Sequence, residues 1–206
     1  MRALFHTLGC KVNQYETEAM KTQLAAAGFE TGEYAPGDRV EDAVVVINSC
    51  TVTGESDRKL RQLLRRCRRG NPDCLLVLCG CMPQAFPEAA EALAEVDIVL
   101  GNAARRVLAE RVRQFLTFHQ RIVDIPAHDM TIEPLSIREF EGHTRAFVKI
   151  EDGCNRFCTY CIIPYARGRV RSKAPEDLRQ ELCELARNGY TEVVLVGINL
   201  TAYGQD

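Results

Sequence analysis

Short apolar runs alternate with helical patterns through the first half of this chain. Four runs rich in β-branched and other apolar residues predict strands, at Arg2 to Leu8, Val44 to Asn48, Leu75 to Leu78 and Asp97 to Leu100. The segments between them have the periodicity of amphipathic helices. Because alternating strands and helices build parallel sheets, in which a helix makes each crossover, the sequence predicts an α/β fold with an open, Rossmann-like parallel sheet.

Capping residues mark the helix boundaries in this region. Asn13 and Glu16 have the spacing of a capping box, with Asn13 as the N-cap, and Gly28 is placed to end the same helix. A second helix, from about Ser56 to Arg69, has one apolar stripe made of Leu60, Leu63, Leu64 and Cys67. Two more helices are predicted over Pro87 to Glu95 and from about Ala104 to Phe118.

The second helix is strongly basic, although the chain as a whole has a formal net charge of -2. Because its apolar stripe faces the sheet, its arginines face outward. Two interpretations fit them, a surface that contacts RNA phosphates and an ordinary solvated helix face. A second basic stretch, residues 153–175, has no acidic residue and contains Arg156, Arg167, Arg169, Arg171 and Lys173.

The periodic pattern fades between His119 and Thr144, where Pro126 and Pro134 interrupt it. We predict an N-terminal α/β domain of residues 1–118, a linker of residues 119–144 and the start of a second domain at residues 145–206. The second domain should contain a strand, a helix and a strand, at Ala146 to Ile150, Pro175 to about Gly189 and Glu192 to Val196. One β-α-β unit cannot close a barrel and leaves apolar strand edges unpaired, so we expect a fragment of a longer protein.

The cysteine content indicates a reducing compartment. Ten residues of the chain are cysteine, and the N-terminus has no sustained apolar core of a signal peptide. In a cytosolic chain, clustered cysteines more often bind metal or take part in chemistry than form disulfides. No segment approaches the roughly 18 consecutive apolar residues of a membrane span. We expect a soluble, cytoplasmic protein with no membrane partner.

Three cysteines lie close together at Cys154, Cys158 and Cys161. A [4Fe-4S] cluster normally takes four thiolates, so three in one loop would leave one iron open for a substrate or cofactor. Cys158-Thr-Tyr-Cys161 alone also matches a thioredoxin-like dithiol, but Cys154 directly upstream argues against it. Zinc bound by the trio and His143 is a further alternative, although this sequence gap is not a usual pairing.

A second set of three cysteines follows the first three predicted strands. Cys10, Cys50 and Cys81 each come directly after a strand, and Cys10 and Cys81 each follow a glycine. Because parallel strands end at the same edge of a sheet, where ligands gather, we expect these cysteines to converge on a site for another cluster. The alternative is that they are ordinary buried cysteines. Cys79, in the third strand, is a competing ligand.

The first trio resembles the C-x3-C-x-aromatic-C signature of the radical S-adenosylmethionine (SAM) superfamily, with Tyr160 as the aromatic residue. The resemblance implies that the trio holds a [4Fe-4S] cluster, that SAM binds the open iron, and that one electron cleaves SAM to a 5′-deoxyadenosyl radical. It also implies that Tyr160 approaches the adenine through its backbone. Asn199 follows the second strand of the expected partial (β/α) barrel and is a candidate SAM contact, since active sites gather at that edge.

Four motifs together resemble the methylthiotransferase family over the whole chain, namely Thr7-Leu-Gly-Cys-Lys-Val-Asn-Gln14, Asn48-Ser-Cys-Thr-Val52, Gly80-Cys81 with Gln84, and the segment from Gly153 to Gly168. Gly-Cys-Lys-Val-Asn-Gln and Ile-Glu-Asp-Gly-Cys-Asn are most similar to the branch that acts on N6-threonylcarbamoyladenosine in tRNA, beside the anticodon. Sister branches modify isopentenyladenosine or a ribosomal-protein aspartate. The family pattern also favours Cys81 over Cys79 as the ligand.

The resemblance implies an enzyme with two [4Fe-4S] clusters, one on each cysteine trio. Such an enzyme uses SAM, an electron donor and a sulfur source to place a methylthio group on tRNA. A radical route suits a base carbon whose C–H bond no side-chain base readily deprotonates. The family's C-terminal β-barrel and most of its SAM-binding barrel are absent from this chain. The alternative from another functional class is a non-catalytic iron-sulfur module that carries electrons or senses redox state.

Overall fold

The computed structural model describes residues 1–51, 54–140, 142 and 144–206, without the side chains of residues 54–56. Two residues used in the sequence analysis lie outside this range. They are Val52, which ends one of the family-like motifs, and His143, the fourth ligand of the zinc alternative.

The N-terminal part is a parallel sheet of six strands with helices on both faces, which confirms the predicted α/β fold. The strands, in spatial order β2-β1-β3-β4-β5-β6, are β1 (Arg2–Thr7), β2 (Glu30–Glu33), β3 (Ala43–Ser49), β4 (Leu75–Gly80), β5 (Ile98–Leu100) and β6 (Ile122–Asp124). The helices are α1 (Lys11–Ala26), α2 (Gly54–Gly70), α3 (Cys81–Ala85), α4 (Pro87–Glu91) and α5 (Leu108–Phe118), with a 3-10 helix at Asn102–Val107.

Each face of this sheet has its own apolar core, because side chains alternate along a strand. Val45 and Ile47 of β3 pack on one face with the predicted apolar stripe of α2. Val44 and Val46 pack on the other face, in a core that includes Met20 of α1 and residues of α5. The sheet is therefore covered on both sides, as parallel sheets require.

The C-terminal part contains the predicted β-α-β unit. Its strands pair in parallel, with Ala146 opposite Val193 and Lys149 opposite Val196. The elements, in chain order, are β7 (Ala146–Lys149), β8 (Glu151–Asp152), α6 (Ile163–Arg167), β9 (Arg171–Ser172), α7 (Pro175–Arg187), β10 (Val193–Val196) and a 3-10 helix at Leu200–Ala202. Its core includes Tyr15 of α1, so α1 packs against both the sheet and the β-α-β unit.

Two strands of the sheet were not predicted. β2 is built from polar residues and glycine, and β6 has only three residues. Both lie at the edges of the sheet, where a strand has a neighbouring strand on one side only. Neither strand therefore has a strong apolar pattern in the sequence. β6 falls inside the predicted linker and pairs with β5. The division of the chain at residues 118 and 144 remains a prediction.

The predicted capping box is wrong. α1 begins at Lys11 with Cys10 at its N-cap position, and Asn13 and Glu16 are buried inside the helix. Their side chains bond to other parts of the fold, and these tertiary bonds replace the local cap. The predicted C-terminal glycine is correct, since Gly28 follows the end of α1 with φ of 92°. Among the described helices, none is both long and apolar enough to span a bilayer.

Candidate functional site

The three strand-end cysteines lie at one edge of the sheet, as predicted. Cys10 follows β1, Cys50 follows β3, and Cys81 is the first residue of α3, directly after β4. These three strands are adjacent, and Thr7 pairs with Asn48 while Ser49 pairs with Gly80. The sheet register therefore brings the three cysteines, which are far apart in sequence, to the same edge of the sheet.

Two glycines allow the strand ends to approach closely. A Cβ atom added at Gly9 would lie 2.8 Å from the Cβ of Cys50. A Cβ atom added at Gly80 would overlap the carbonyl oxygen of Ser49, and the φ of Gly80 is 103°. Both positions therefore need glycine, because a side chain there would push the neighbouring strand ends apart.

The environment of these thiols ranges from solvent to the protein interior. Cys10 is exposed, whereas Cys50 and Cys81 are buried. Burial raises the pKa of the Cys81 thiol, the Arg167 guanidinium opposes this increase, and the charges of Glu16 and Cys50 add to it. The edge thus presents one accessible and two enclosed sulfur atoms, with a cation from the C-terminal part beside Cys81.

The loop of Cys154, Cys158 and Cys161 is held by backbone contacts to the segment that follows α6. The Cys154 N–H donates to the carbonyl of Gly168 at 3.0 Å, and the Cys161 N–H donates to the carbonyl of Cys158 at 2.9 Å. Gly153 has φ of 91°, and a Cβ atom there would overlap the carbonyl of Arg169. The loop is therefore compact, with Cys158 exposed and Cys154 and Cys161 half-buried.

The two cysteine sets belong to elements that contact each other. α3, which begins at Cys81, packs against α6, which begins two residues after Cys161. The Asn102 side-chain amide donates to the carbonyl of Ala166 in α6 at 2.5 Å. The edge of the sheet where the strands end therefore contacts α6, the helix that directly follows the loop of Cys154, Cys158 and Cys161.

A buried network of charges joins the two parts of the chain at this contact. Glu16 of α1 accepts from Arg167 at 2.8 Å and from Lys149 at 2.9 Å, and it also pairs with Arg105. Asp152 accepts from Arg167 and Lys149, each at 3.1 Å. All five side chains are nearly or fully buried. The cations are thus compensated by carboxylates from both parts.

The network lowers the pKa values of its carboxylates. Burial alone would raise the pKa of Glu16, but the charges of Arg105, Arg167 and Lys149 hold that pKa well below its usual value. Burial has the same effect on Asp152, and Lys149 and Arg167 lower its pKa to about 2. Both carboxylates are therefore charged at neutral pH.

Asn13 connects this network to the cysteine edge. Its amide nitrogen donates to the carbonyl of Ser49, the residue before Cys50, at 3.2 Å. Its amide oxygen accepts from the Cys10 thiol and from Arg167, each at 3.3 Å. The sequence pattern around Asn13 had instead predicted a helix cap. Its actual position could have been inferred from the spacing of three residues between Cys10 and Asn13, which places these two residues on the same side of the first helical turn.

Two protein families match successive parts of the chain. Residues 2–101 match Uncharacterized protein family UPF0004, and residues 148–205 match the Radical SAM superfamily. The threonylcarbamoyladenosine tRNA methylthiotransferase MtaB of Bacillus subtilis is 42% identical over 204 residues, which cover 98% of this chain and 44% of the relative. The tRNA-2-methylthio-N(6)-dimethylallyladenosine synthase of Staphylococcus epidermidis is 34% identical over 209 residues, which cover 98% of this chain and 40% of the relative.

Over almost its whole length, the chain is therefore similar to tRNA methylthiotransferases.

The chain spans about half the length of the curated relatives it matches. Its fold is similar to that of TsrM, a radical SAM methyltransferase from Kitasatospora setae, with a TM-score of 0.65 at 16% identity, over 98% of this chain and 48% of TsrM. At that identity the similarity concerns the fold alone. The superfamily match over residues 148–205 implies SAM and a [4Fe-4S] cluster.

The cysteines of the chain fit iron-sulfur ligation by their chemistry. All ten cysteines are described, and all are free thiols. Among the described residues, no three His, Cys, Asp or Glu side chains are arranged as ligands of a single metal ion. A [4Fe-4S] cluster differs from a single ion, because each of its irons takes its own thiolate. Ligation by the six predicted cysteines therefore remains a prediction.

The two predicted SAM contacts, Tyr160 and Asn199, differ in their surroundings. The Tyr160 side chain is 91% exposed. The Asn199 N–H donates to the Glu151 carboxylate at 2.7 Å, and the Asn199 side-chain oxygen accepts from Thr201 at 2.8 Å. Gly197 packs against Glu151, where a Cβ atom would lie 2.7 Å from its oxygen. Glu151, which the sequence analysis missed, therefore holds the loop of Asn199.

The remaining cysteines are separated from the sheet edge or lie in helices. The Cys79 sulfur lies 3.7 Å from the Met20 sulfur, and burial raises the pKa of Cys79 to about 12. Cys79 thus belongs to the core that α1 and α5 form with the sheet. Cys67, in the apolar stripe of α2, is buried in the same core as Cys74, as the stripe predicted. Cys183 is half-buried in α7.

Proposed function

We propose that this chain is the cofactor-binding part of a cytoplasmic tRNA methylthiotransferase. The proposed reaction converts N6-threonylcarbamoyladenosine next to the anticodon to its 2-methylthio derivative by radical SAM chemistry. The observation that carries the proposal is the convergence of Cys10, Cys50 and Cys81 at one sheet edge, on elements packed against the helix after Cys161. The 42% identity to the Bacillus subtilis relative supports the choice of nucleoside.

Each cysteine trio would hold one [4Fe-4S] cluster. We assign Cys154, Cys158 and Cys161 to the cluster that binds SAM, and Cys10, Cys50 and Cys81 to the second cluster. When bound, the two clusters supply SAM cleavage and the sulfur that becomes the methylthio group. An electron donor and a sulfur source belong to the same proposal as partners.

The protein's own residues hold the two ligand sets in a fixed relation. Asn13 bonds to the Cys10 thiol and to the backbone before Cys50, and Arg167 bonds to Asn13 from the C-terminal part. Thiolate ligation concentrates negative charge, and the buried guanidinium of Arg167 beside Cys81 stabilises such charge. At the proposed SAM site, Glu151 holds the Asn199 loop, and Tyr160 is exposed for contact with SAM.

The choice of nucleoside has one specific competitor. The Staphylococcus epidermidis relative, named for dimethylallyladenosine, is 34% identical over almost the same part of the chain. Methylthiolation of isopentenyladenosine in tRNA is therefore the second candidate function. A ribosomal-protein aspartate as substrate, or a non-catalytic iron-sulfur module, has no comparable support among the relatives described above.

SAM cleavage separates the enzyme from the non-catalytic module. The chain would be reconstituted without oxygen, reduced with dithionite and given SAM, and 5′-deoxyadenosine would be measured by mass spectrometry. We expect 5′-deoxyadenosine from the wild type and none from Cys158→Ala. The Cys183→Ala variant is the matched control, because Cys183 lies in α7, and it should behave as the wild type. A reversible cluster that leaves SAM intact would contradict the proposal.

The nucleoside is tested in cells with a chimera. Residues 1–206 would replace the matching part of the Bacillus subtilis relative in a strain that lacks the native enzyme. Nucleosides from digested tRNA would then be analysed by mass spectrometry. We expect the 2-methylthio derivative of threonylcarbamoyladenosine to return. A methylthio group on isopentenyladenosine instead would favour the competing function.

A further inference from the structure

An exposed group of two aromatic rings and one guanidinium lies beside the loop of Cys154, Cys158 and Cys161. The Phe157 side chain is 43% exposed and that of Tyr165 is 61% exposed. Their ring centroids are 6.0 Å apart, with the planes at 89°. The Arg169 guanidinium lies over the Phe157 ring, 5.5 Å from its centroid. We refer to Phe157, Tyr165 and Arg169 as the aromatic cluster.

Phe157 has an unfavourable backbone conformation. Its φ is 45°, in the left-handed region that residues other than glycine rarely adopt. Burial of the ring offsets only part of this cost, because the residue is 43% exposed. The conformation places an aromatic ring at the surface, one residue before Cys158. A packing role for this ring is therefore a weak explanation.

Within residues 153–175, the charges that reach the surface are positive. Of the five basic residues in the stretch 153–175, only Arg156 and Arg169 are exposed. The other three are buried and bonded to carboxylates, namely Arg167, Arg171 and Lys173. No acidic residue lies in this stretch of sequence. The basic stretch thus contributes two arginines to the surface, and both lie close in sequence to the aromatic rings.

Aromatic rings and arginines together are the features that bind unpaired nucleotides. Bases stack on exposed aromatic side chains, and guanidinium groups bind phosphates or stack on bases. We propose that Phe157, Tyr165 and Arg169 bind an unpaired nucleobase and a neighbouring phosphate of an RNA loop. This inference rests on the proposed tRNA substrate and adds a binding surface next to the cysteine loop. The positive charge favours RNA over an apolar protein segment as the occupant.

The test measures binding to a fluorescein-labelled RNA anticodon stem-loop that contains threonylcarbamoyladenosine. Fluorescence anisotropy would be recorded for the reconstituted wild type and for the Phe157→Gly, Tyr165→Ala and Arg169→Gln variants, at several salt concentrations. Phe157→Gly should weaken binding roughly ten-fold without changing the salt dependence, as expected for loss of one stacked base. Arg169→Gln should weaken binding and reduce the slope of log K against log salt by roughly 0.7.

Thermal unfolding distinguishes a variant that binds RNA weakly from a variant that fails to fold. Because glycine relieves the left-handed conformation, Phe157→Gly should unfold at the same or a higher temperature than the wild type while binding RNA more weakly. The matched control is Phe118→Ala, since Phe118 is 63% exposed at the end of α5, and its RNA affinity should be unchanged.

Three results would overturn the inference. The first is equal RNA affinity for the wild type, Phe157→Gly and Tyr165→Ala. The second is a wild type that self-associates and variants that are monomers but bind RNA with unchanged affinity. That result would show that the surface binds another copy of the protein. The third is no RNA binding by the wild type. The proposed function is judged separately, because the chimera experiment reads the modified nucleoside itself.

Discussion

Arg167 donates to Glu16 at 2.8 Å, and this bond joins α6, the helix after the loop of Cys154, Cys158 and Cys161, to α1. Both side chains are almost completely buried. Arg167 also reaches Asn13, which bonds to the Cys10 thiol. The relation between the two cysteine sets therefore depends on a small group of buried polar side chains.

Replacing Glu16 by glutamine should strongly destabilise the protein. The substitution keeps the shape but leaves Arg105, Lys149 and Arg167 with less compensating charge in the interior. We expect a loss of about 3–5 kcal/mol in the free energy of unfolding, measured by urea denaturation. Glu176→Gln, which removes an exposed ion pair with Arg179, is the matched control and should have no measurable effect. Equal stability of the two variants would show that the network contributes little.

The network also predicts loss of stability in acid. The pKa of Asp152 is lowered to about 2 in the folded protein, so its stabilising contribution is complete above its unfolded pKa of about 4. That contribution is lost as the pH falls from about 4 towards 2. Glu16, whose pKa is also lowered, acts in the same direction. Unfolding temperatures measured across this range should fall steeply for the wild type and less steeply for Asp152→Asn. Parallel curves would contradict the assignment.

Gly80→Ala should be more damaging than Gly28→Ala. Both glycines have positive φ, 103° and 92°, so each substitution strains the backbone by about 1–2 kcal/mol. At Gly28 no atom lies within 4 Å of the added Cβ, whereas at Gly80 the Cβ overlaps the backbone of Ser49. We expect an additional loss of about 1–3 kcal/mol for Gly80→Ala in urea denaturation. It should also reduce the iron bound after reconstitution, because it separates the ends of β3 and β4.

The basic face of α2 gives a prediction about RNA affinity. Arg65 is exposed and Arg61 is half-buried on this helix. If this face contacts phosphates, the double variant Arg61→Glu, Arg65→Glu should bind tRNA more weakly and show a smaller salt dependence, which filter binding at several salt concentrations measures. Charge reversal at Arg179, an exposed arginine of α7, is the control. Unchanged affinity and slope would identify the α2 arginines as a solvated helix face.

The sequence was sufficient for the four central strands of the sheet and for the place of the three cysteines at its edge. Cys10, Cys50 and Cys81 could be grouped because parallel strands end at one edge, which is a rule of topology. The edge strands β2 and β6 were missed because short, polar edge strands have little periodic signal. The limits of helices were less accurate, since α4 ends at Glu91 and α5 begins only at Leu108.

The polar side chains around the site could not be predicted from local patterns. Asn13 and Glu16 match a capping box in sequence, but their partners Ser49 and Arg167 are distant in the chain. Arg167 was grouped with a basic stretch, although it is buried in ion pairs. Such residues are fixed by tertiary contacts, which a pattern of neighbours along the chain does not contain.

The iron content of the reconstituted chain tests the central claim most directly. Iron would be measured with Mössbauer spectra for the wild type, for the Cys10, Cys50 and Cys81 triple alanine variant, and for the Cys154, Cys158 and Cys161 triple alanine variant. Two [4Fe-4S] clusters predict about eight irons in the wild type and about four in each variant. About four irons in the wild type, unchanged when Cys10, Cys50 and Cys81 are replaced, would contradict the account.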